Sequence, residues 1–334
     1  MDIDISIESW PLDRPFRITG QVYEDIELVV VTLRDGAHRG RGEAAGVDYL
    51  GETPLTIASQ IEELRGAFEI GMDRQRLQSL LAPGGARNAL DCALWDFEAA
   101  RTGVPAWTSA GMDAPRPCIT TWTIGADAPD SVHDQALGFA KARALKLKLT
   151  GDGLDAERIR ALRSARPDVW LGVDGNQGFT RATLEALMPI LVEERVAMFE
   201  QPLPIGRDAE LDTLHSPIPL AADESAQGLA SIGALSPAYS IVNIKLDKCG
   251  GLTEALAMVH AIRARGMGVM VGNMLGTSLA MAPAFLIGQF CDVVDLDGPV
   301  LLREDRAPGA IFDNGTIDCP GGIWGGAKAP KPQI

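Results

Sequence analysis

The stretch ALKLKLT, residues 144–150, sets Lys146 and Lys148 two positions apart. Side chains two apart on a strand share a face, so if Leu145, Leu147 and Leu149 meet an apolar layer, both ammonium groups point the other way. Single acids then end a series of apolar runs: Asp174 in LGVDGN, Glu200 in AMFEQP and Asp223 in LAADES. A further lysine, Lys245, stands in IVNIKLD, and VVDLDGP carries Asp295 and Asp297. Three carboxylates brought face to face repel one another without a cation among them. An all-oxygen set suits Mg²⁺, with Mn²⁺ as a substitute, and no histidine or cysteine is placed to favour zinc. A hard metal beside amine bases is equipment for removing a proton alpha to a carboxylate, because the metal stabilises the charge that collects on the carboxylate oxygens of the enediolate.

Something must hold these groups together. Eight β-like segments begin at residues 120, 145, 171, 197, 220, 241, 268 and 293, roughly 21 to 27 residues apart. Most gaps hold an amphipathic stretch such as DAERIRALRSARP or LTEALAMVHAIRARG. That rhythm predicts repeated βα units closing into a parallel barrel, whose reactive face is the rim at the carboxyl ends of the strands. The acids and lysines above all fall on that rim. Lys148 on the second strand and Lys245 on the sixth would lie half a barrel apart and approach one substrate carbon from opposite sides. Lys146, beside Lys148, would favour loss of a proton from its neighbour by like-charge repulsion. Lys248 reads as a neutraliser of rim acids. One base removes a proton and the other returns it to the opposite face, which makes an epimer.

The expected fold class is α/β, a modified TIM barrel of the (β/α)7β type with an α+β amino-terminal capping domain. LVVVTLRDGAHRGRGEA reads as a hairpin turning at Asp35-Gly36, and residues 84–103 as a buried helix ended by glycine. The proline-bearing GMDAPRPC marks a junction. The predicted division is a cap over 1–112, a barrel over 113–308 and a tail over 309–334 that returns to the cap. With 45 acidic against 30 basic residues the net charge is −15, which opposes nucleic acid and anionic membranes and points to a small-molecule partner. Five cysteines without CxxC spacing, no signal-like amino terminus and no uninterrupted apolar span predict a cytoplasmic protein. A homo-oligomer is expected.

The motifs KLK (146–148), VDGN, FEQPLP, ADES and NIKLDKCGGLTEAL, together with ARNALDCALWD in the first domain, resemble the enolase superfamily, muconate-lactonising subgroup. The resemblance implies Mg²⁺ held by Asp174, Glu200 and Asp223, with Lys148 and Lys245 as bases. DLDGP at 295–299 is similar to the Asp-x-Asp signature of dipeptide epimerases, especially bacterial L-Ala-D/L-Glu epimerases, and implies that Asp295 and Asp297 hold the substrate's α-ammonium group. Tyr23, Asn273 and Met274 are the other expected substrate contacts.

One position departs from the glutamate-accepting members of that family, which carry a cap-loop arginine. Gly20 and Tyr23, or Tyr49, stand there instead, with Glu24, Asp25 and Asp48 nearby. Arg17 is the candidate replacement; without it these loops favour neutral or cationic side chains. Two alternatives stay open: an o-succinylbenzoate synthase or muconate-type cycloisomerase of the same subgroup, and a catalytically dead barrel used for binding. Racemases and dehydratases with a rim histidine fit less well, because His38, His133, His215 and His260 fall outside the strand ends.

Overall fold

The computed structural model describes residues 1–326. The chain opens with an antiparallel three-stranded sheet, β1 (Asp2–Ile18), β2 (Gln21–Asp35) and β3 (His38–Ala44), joined by tight turns at Gly20 and Gly36, both at positive φ. Helices α1 (Pro54–Glu63), α2 (Arg65–Glu69), α3 (Arg74–Leu80) and α4 (Gly85–Thr102) follow. Helix α4 is buried along most of its length and lies across β3. Two glycines of β3 allow that approach. A Cβ on Gly42 would come within 2.0 Å of the Ala89 carbonyl oxygen, and one on Gly40 within 2.2 Å of the Phe97 amide nitrogen.

After α5 (Ala106–Ser109) and the short β4 (Cys118–Ile119) comes the barrel. Its strands are β5 (Thr121–Ile124), β6 (Ala144–Lys148), β7 (Trp170–Asp174), β8 (Met198–Glu200), β9 (Leu220–Ala222), β10 (Tyr239–Ile244), β11 (Gly268–Val271) and β12 (Val293–Val294). They hydrogen-bond in that order as one parallel sheet. The seam between its ends is bridged by side chains: Thr120 Oγ1 accepts from the Leu296 amide at 2.9 Å, and the Thr121 hydroxyl donates to Asp295. All eight predicted strands are present.

Helices α6 (Pro129–Gly138), α7 (Asp155–Ala165), α8 (Arg181–Glu193), α9 (Leu246–Cys249), α10 (Leu252–Ala264), α11 (Ser278–Gly288) and α12 (Gly298–Leu301) complete the helical elements. The βα rhythm is incomplete at two crossovers, where only 3₁₀ turns occur, at Asp208–Leu211 and Leu229–Ala234. The first of these segments is bracketed by Pro202, Pro204, Pro217 and Pro219, which remove amide donors and disfavour a continuous helix.

Strand β6 is buried at all five positions. Leu145, Leu147 and Leu149 join the core between barrel and helices, while Met198, Ala221 and Met270 pack together in a separate cluster inside the barrel. Glu200, two residues beyond Met198, therefore faces the barrel axis above that floor. Strands β13 (Ile311–Asp313) and β14 (Thr316–Asp318) pair with β4. The chain then reaches the first domain: the Trp324 indole donates to the Cys92 carbonyl at 3.0 Å, and Arg41 to that of Ile323 at 2.8 Å. Residues 327–334 of the expected tail lie outside the described residues. Among the described residues no helix is long and apolar enough to cross a membrane.

Gly42→Ala is expected to destabilise the protein by about 1–3 kcal/mol or more through overpacking against α4, read as a lowered denaturation midpoint. Gly20→Ala, with open space around its Cβ but φ of +75°, should cost less.

Candidate active site

The ends of the barrel strands gather the charged residues picked out in the sequence. Pairing register sets Lys148 beside Asp174 and Asp174 beside Glu200 on adjacent strands. Asp223 follows β9 directly, and Gln201 fixes that turn, its Oε1 accepting from the Asp223 and Ser225 amides at 3.0 and 3.1 Å. Four rim residues other than glycine, Asn176, Gln177, Gln201 and Leu275, sit at positive φ. Such backbone costs about 1–3 kcal/mol each and concentrates where loops must aim side chains.

The two proposed bases come from β6 and from the residue after β10, with β7, β8 and β9 between them. Each is hydrogen-bonded to a different acid: Lys148 Nζ to Asp174 Oδ2 at 2.6 Å, and Lys245 Nζ to Asp223 Oδ2 at 2.6 Å. Both lysines line one cavity under the cap, together with Asp223, Glu224, Asn273, Met274, Asp295 and Asp297. Tyr23, Asp48 and Tyr49 close it from the cap side. Asp174 and Glu200 are fully buried.

Burial and charge pull against each other here. Burial pushes Asp174 and Asp223 up, but Lys148 and Lys146 bring the first below its ordinary range, and Lys245 and Lys248 bring the second far below. Glu200 is pushed up to about 7, by burial and then by the Asp174 charge. Burial lowers Lys146, yet Asp295, Glu200 and Asp174 together hold it well above the usual lysine range. It lies 3.3 Å from Glu200 Oε2 and 3.6 Å from Asp174 Oδ2, and it donates to Asp295. The sequence predicts that the Lys146 charge bears on Lys148; in the structure it is matched by these three acids. Lys248 donates to Asp223 Oδ1 at 2.5 Å.

Among the described residues, no three acidic, histidine or cysteine side chains stand in a ready metal-binding geometry. Lysines donate to one or more oxygens of each of the three acids, Lys148 to Asp174, Lys146 to Glu200, and Lys245 and Lys248 to Asp223. The donor set nevertheless fits a hard divalent ion: Asp174, Glu200 and Asp223 are oxygen donors on consecutive strands, and burial with mutual repulsion leaves Glu200 short of positive charge. Two buried acceptors beside them, Asn243 Oδ1 and Asn176 Oδ1, have no hydrogen-bond partner.

Asp295 accepts from Thr121 and Lys146, and Asp297 from the Thr123 amide at 2.5 Å. Burial, then the Asp295 charge, pushes Asp297 up to about 6. Arg17 is not in the cavity lining; its guanidinium lies 3.9 Å from Asp127. Sequence reasoning passed over Asn243, whose Nδ2 donates to Glu200 Oε1 at 2.6 Å, and Thr121 and Thr123, which hold the aspartate pair. Period two along the strands leading to Lys245 and through TTWTIG was the available signal.

Two family models match the chain: "Mandelate racemase / muconate lactonizing enzyme, N-terminal domain" over residues 1–111 and "Enolase C-terminal domain-like" over residues 131–323. The chain belongs to the mandelate racemase and muconate lactonizing enzyme group of the enolase superfamily. The L-Ala-D/L-Glu epimerase of Escherichia coli K12 is 40% identical over 312 residues, covering 93% of this chain and 97% of that one. The N-acetyl-D-glutamate racemase of a Pseudoalteromonas species is 35% identical over 303 residues, covering 90% and 96%. A crystal structure of an enolase family member from Agrobacterium tumefaciens with homology to dipeptide epimerases, holding sodium and L-Ala-L-Glu, matches with a TM-score of 0.94. It is 37% identical and covers 97% of this chain and 99% of its own.

Calorimetric titration should find one specific Mg²⁺ site per chain, and Glu200→Gln should weaken it by at least about tenfold while circular dichroism stays that of the parent.

Proposed function

We propose that the chain is a Mg²⁺-dependent dipeptide epimerase inverting the carbon alpha to the substrate's carboxylate. One observation carries the reading. Lys148 and Lys245 are anchored at 2.6 Å to different acids of one buried cluster, three strands intervene between them, and both line the same cavity. Asp174, Glu200 and Asp223 would hold the metal, which supplies a positive charge for the substrate carboxylate and the enediolate derived from it.

The protein's own groups do the rest. With the α-carbon seated between the two amines, the lysine that starts neutral takes the α-proton, and the ammonium opposite delivers one to the other face. Each such transfer contributes about 10²- to 10⁴-fold. Lys146 and Lys248 balance acids and keep the bases aimed. Asp297 is the acceptor for the substrate's α-ammonium group, with Asp295 setting the local potential. The cap covers the cavity and limits water.

A second reading is favoured by a specific observation. Asp295 and Asp297 already accept from Lys146, Thr121 and the Thr123 amide, so an N-acylated amino acid, with no ammonium group, is also compatible with this wall. The N-acetyl-D-glutamate racemase among the relatives supports it.

Three outcomes test these statements. Lys148→Ala and Lys245→Ala should each abolish epimerisation, while one of them still exchanges the α-proton of a single stereoisomer in deuterated water, read by mass spectrometry. If both epimerise normally, the two-base assignment is wrong. Asp297→Asn should raise KM for dipeptides far more than for N-acetyl amino acids; equal effects remove the ammonium role. Chelation with EDTA should silence the enzyme and Mg²⁺ should restore it.

A further inference from the structure

The mouth of the cavity carries an excess of negative charge. We propose that this excess selects the substrate: the residue whose α-carbon is inverted bears a cationic side chain, an ammonium or guanidinium head, received by Asp48 and Glu224. The inference rests on the dipeptide reading and names its substrate class.

The direction of the side chain follows from the four substituents of the reacting carbon. In the proposed reaction its carboxylate would be drawn to the metal that Asp174, Glu200 and Asp223 would hold, its hydrogen would point to one of Lys148 and Lys245, and its nitrogen would lead to the residue held at Asp297. The fourth bond has only the cap side left. There Tyr23 and Tyr49 line the cavity from the cap, and Gln227 of the barrel donates to the Tyr49 hydroxyl.

Asp48 stands in that wall. Its Oδ2 accepts from the Tyr23 hydroxyl at 2.7 Å and its Oδ1 from the Tyr49 amide at 2.7 Å, so the carboxylate is aimed; among the described residues it forms no ion pair. Glu224 provides an independent sign of a missing donor. It is 3% exposed, its Oε1 accepts from Asn176 at 3.3 Å, and its Oε2 has no partner. Gln227 links the two acids, donating to the Tyr49 hydroxyl at 3.1 Å and to the Glu224 carbonyl at 2.5 Å, and its own buried Oε1 is also without a partner. The unpartnered Glu224 Oε2 and the aimed Asp48 carboxylate, both on residues of the cavity lining, match the several N–H groups of a lysine or arginine head.

The make-up of the lining agrees: it holds five acids, Asp48, Asp223, Glu224, Asp295 and Asp297, against three lysines, Lys146, Lys148 and Lys245, and each of those lysines is already paired with an acid, so no amine is left over for a glutamate side chain. Phe16 and Ile18, also in the lining, suit the aliphatic stem of a long basic side chain.

The experiment compares L-Ala-L-Lys, L-Ala-L-Leu and L-Ala-L-Glu with the Mg²⁺-loaded full chain, following α-deuterium incorporation. Expected is kcat/KM in the order lysyl, leucyl, glutamyl. Asp48→Asn should lower the lysyl-to-leucyl ratio about tenfold to a hundredfold, mostly through KM. Glu224→Gln should lower the same ratio, with turnover of the leucyl substrate as the internal reference. A parent that prefers the glutamyl substrate, or an Asp48→Asn ratio equal to the parent's, overturns this inference while leaving epimerisation standing; equal losses for both substrates in Glu224→Gln remove that residue from it. Exchange on no dipeptide at all defeats the dipeptide reading and this one with it.

Discussion

The site depends on a balance of buried charge. Six carboxylates and four lysines at the carboxyl end of the barrel are each less than 9% exposed. Removing such groups from water costs several kcal/mol apiece, and the cost is offset only if every charge has a close, well-oriented partner. The barrel supplies this by geometry. Strands that bring Asp174 beside Lys148 and Glu200 beside Asp174 fix acids and amines in place before any substrate arrives. A polar cluster of that kind is poor material for stability and good material for catalysis, because its dipoles and charges need no reorganisation when negative charge develops.

The cap is tied to the same cluster rather than merely resting on it. Asp247, two residues beyond Lys245, accepts from the Ala45 and Gly46 amides at 3.0 and 2.9 Å, which fixes the segment that leads into Asp48 and Tyr49. On the other side Arg306 joins Glu8 and Glu43 of the cap sheet to Thr277, the residue that caps α11 and ends the loop carrying Asn273, Met274 and Leu275. Glu43 also accepts from the Thr277 amide at 2.8 Å. The walls that contact a substrate's variable part are thereby referenced to the bases that act on its α-carbon. Specificity can change through cap residues while the chemistry stays where the barrel put it.

The same division explains what the sequence disclosed. Alternation within ALKLKLT, recurrence of short apolar runs and acids at their ends were sufficient for the eight strands, the cap hairpin, the long helix α4 and the cluster of Lys148, Asp174, Glu200, Asp223 and Lys245. These features are local or periodic, and a strand of period two commits each side chain to one face. The crossover that forms a 3₁₀ turn at Asp208–Leu211 also had a local cause, in the prolines that bracket it.

What the chain could not disclose are relations between segments far apart in it. Arg17 is the sequence's candidate for the missing cap-loop arginine but turns to Asp127, and the charge of Lys146 is absorbed by Asp295, 149 residues away. The link from Tyr49 through Gln227 to Glu224, and the orphaned acceptors it leaves, exist only once cap and barrel meet. Residue type and spacing determined which groups could do the chemistry; packing decided which of them remained free to meet a substrate, because in a low-dielectric interior a charge answers to its nearest partner and not to its neighbour in the chain.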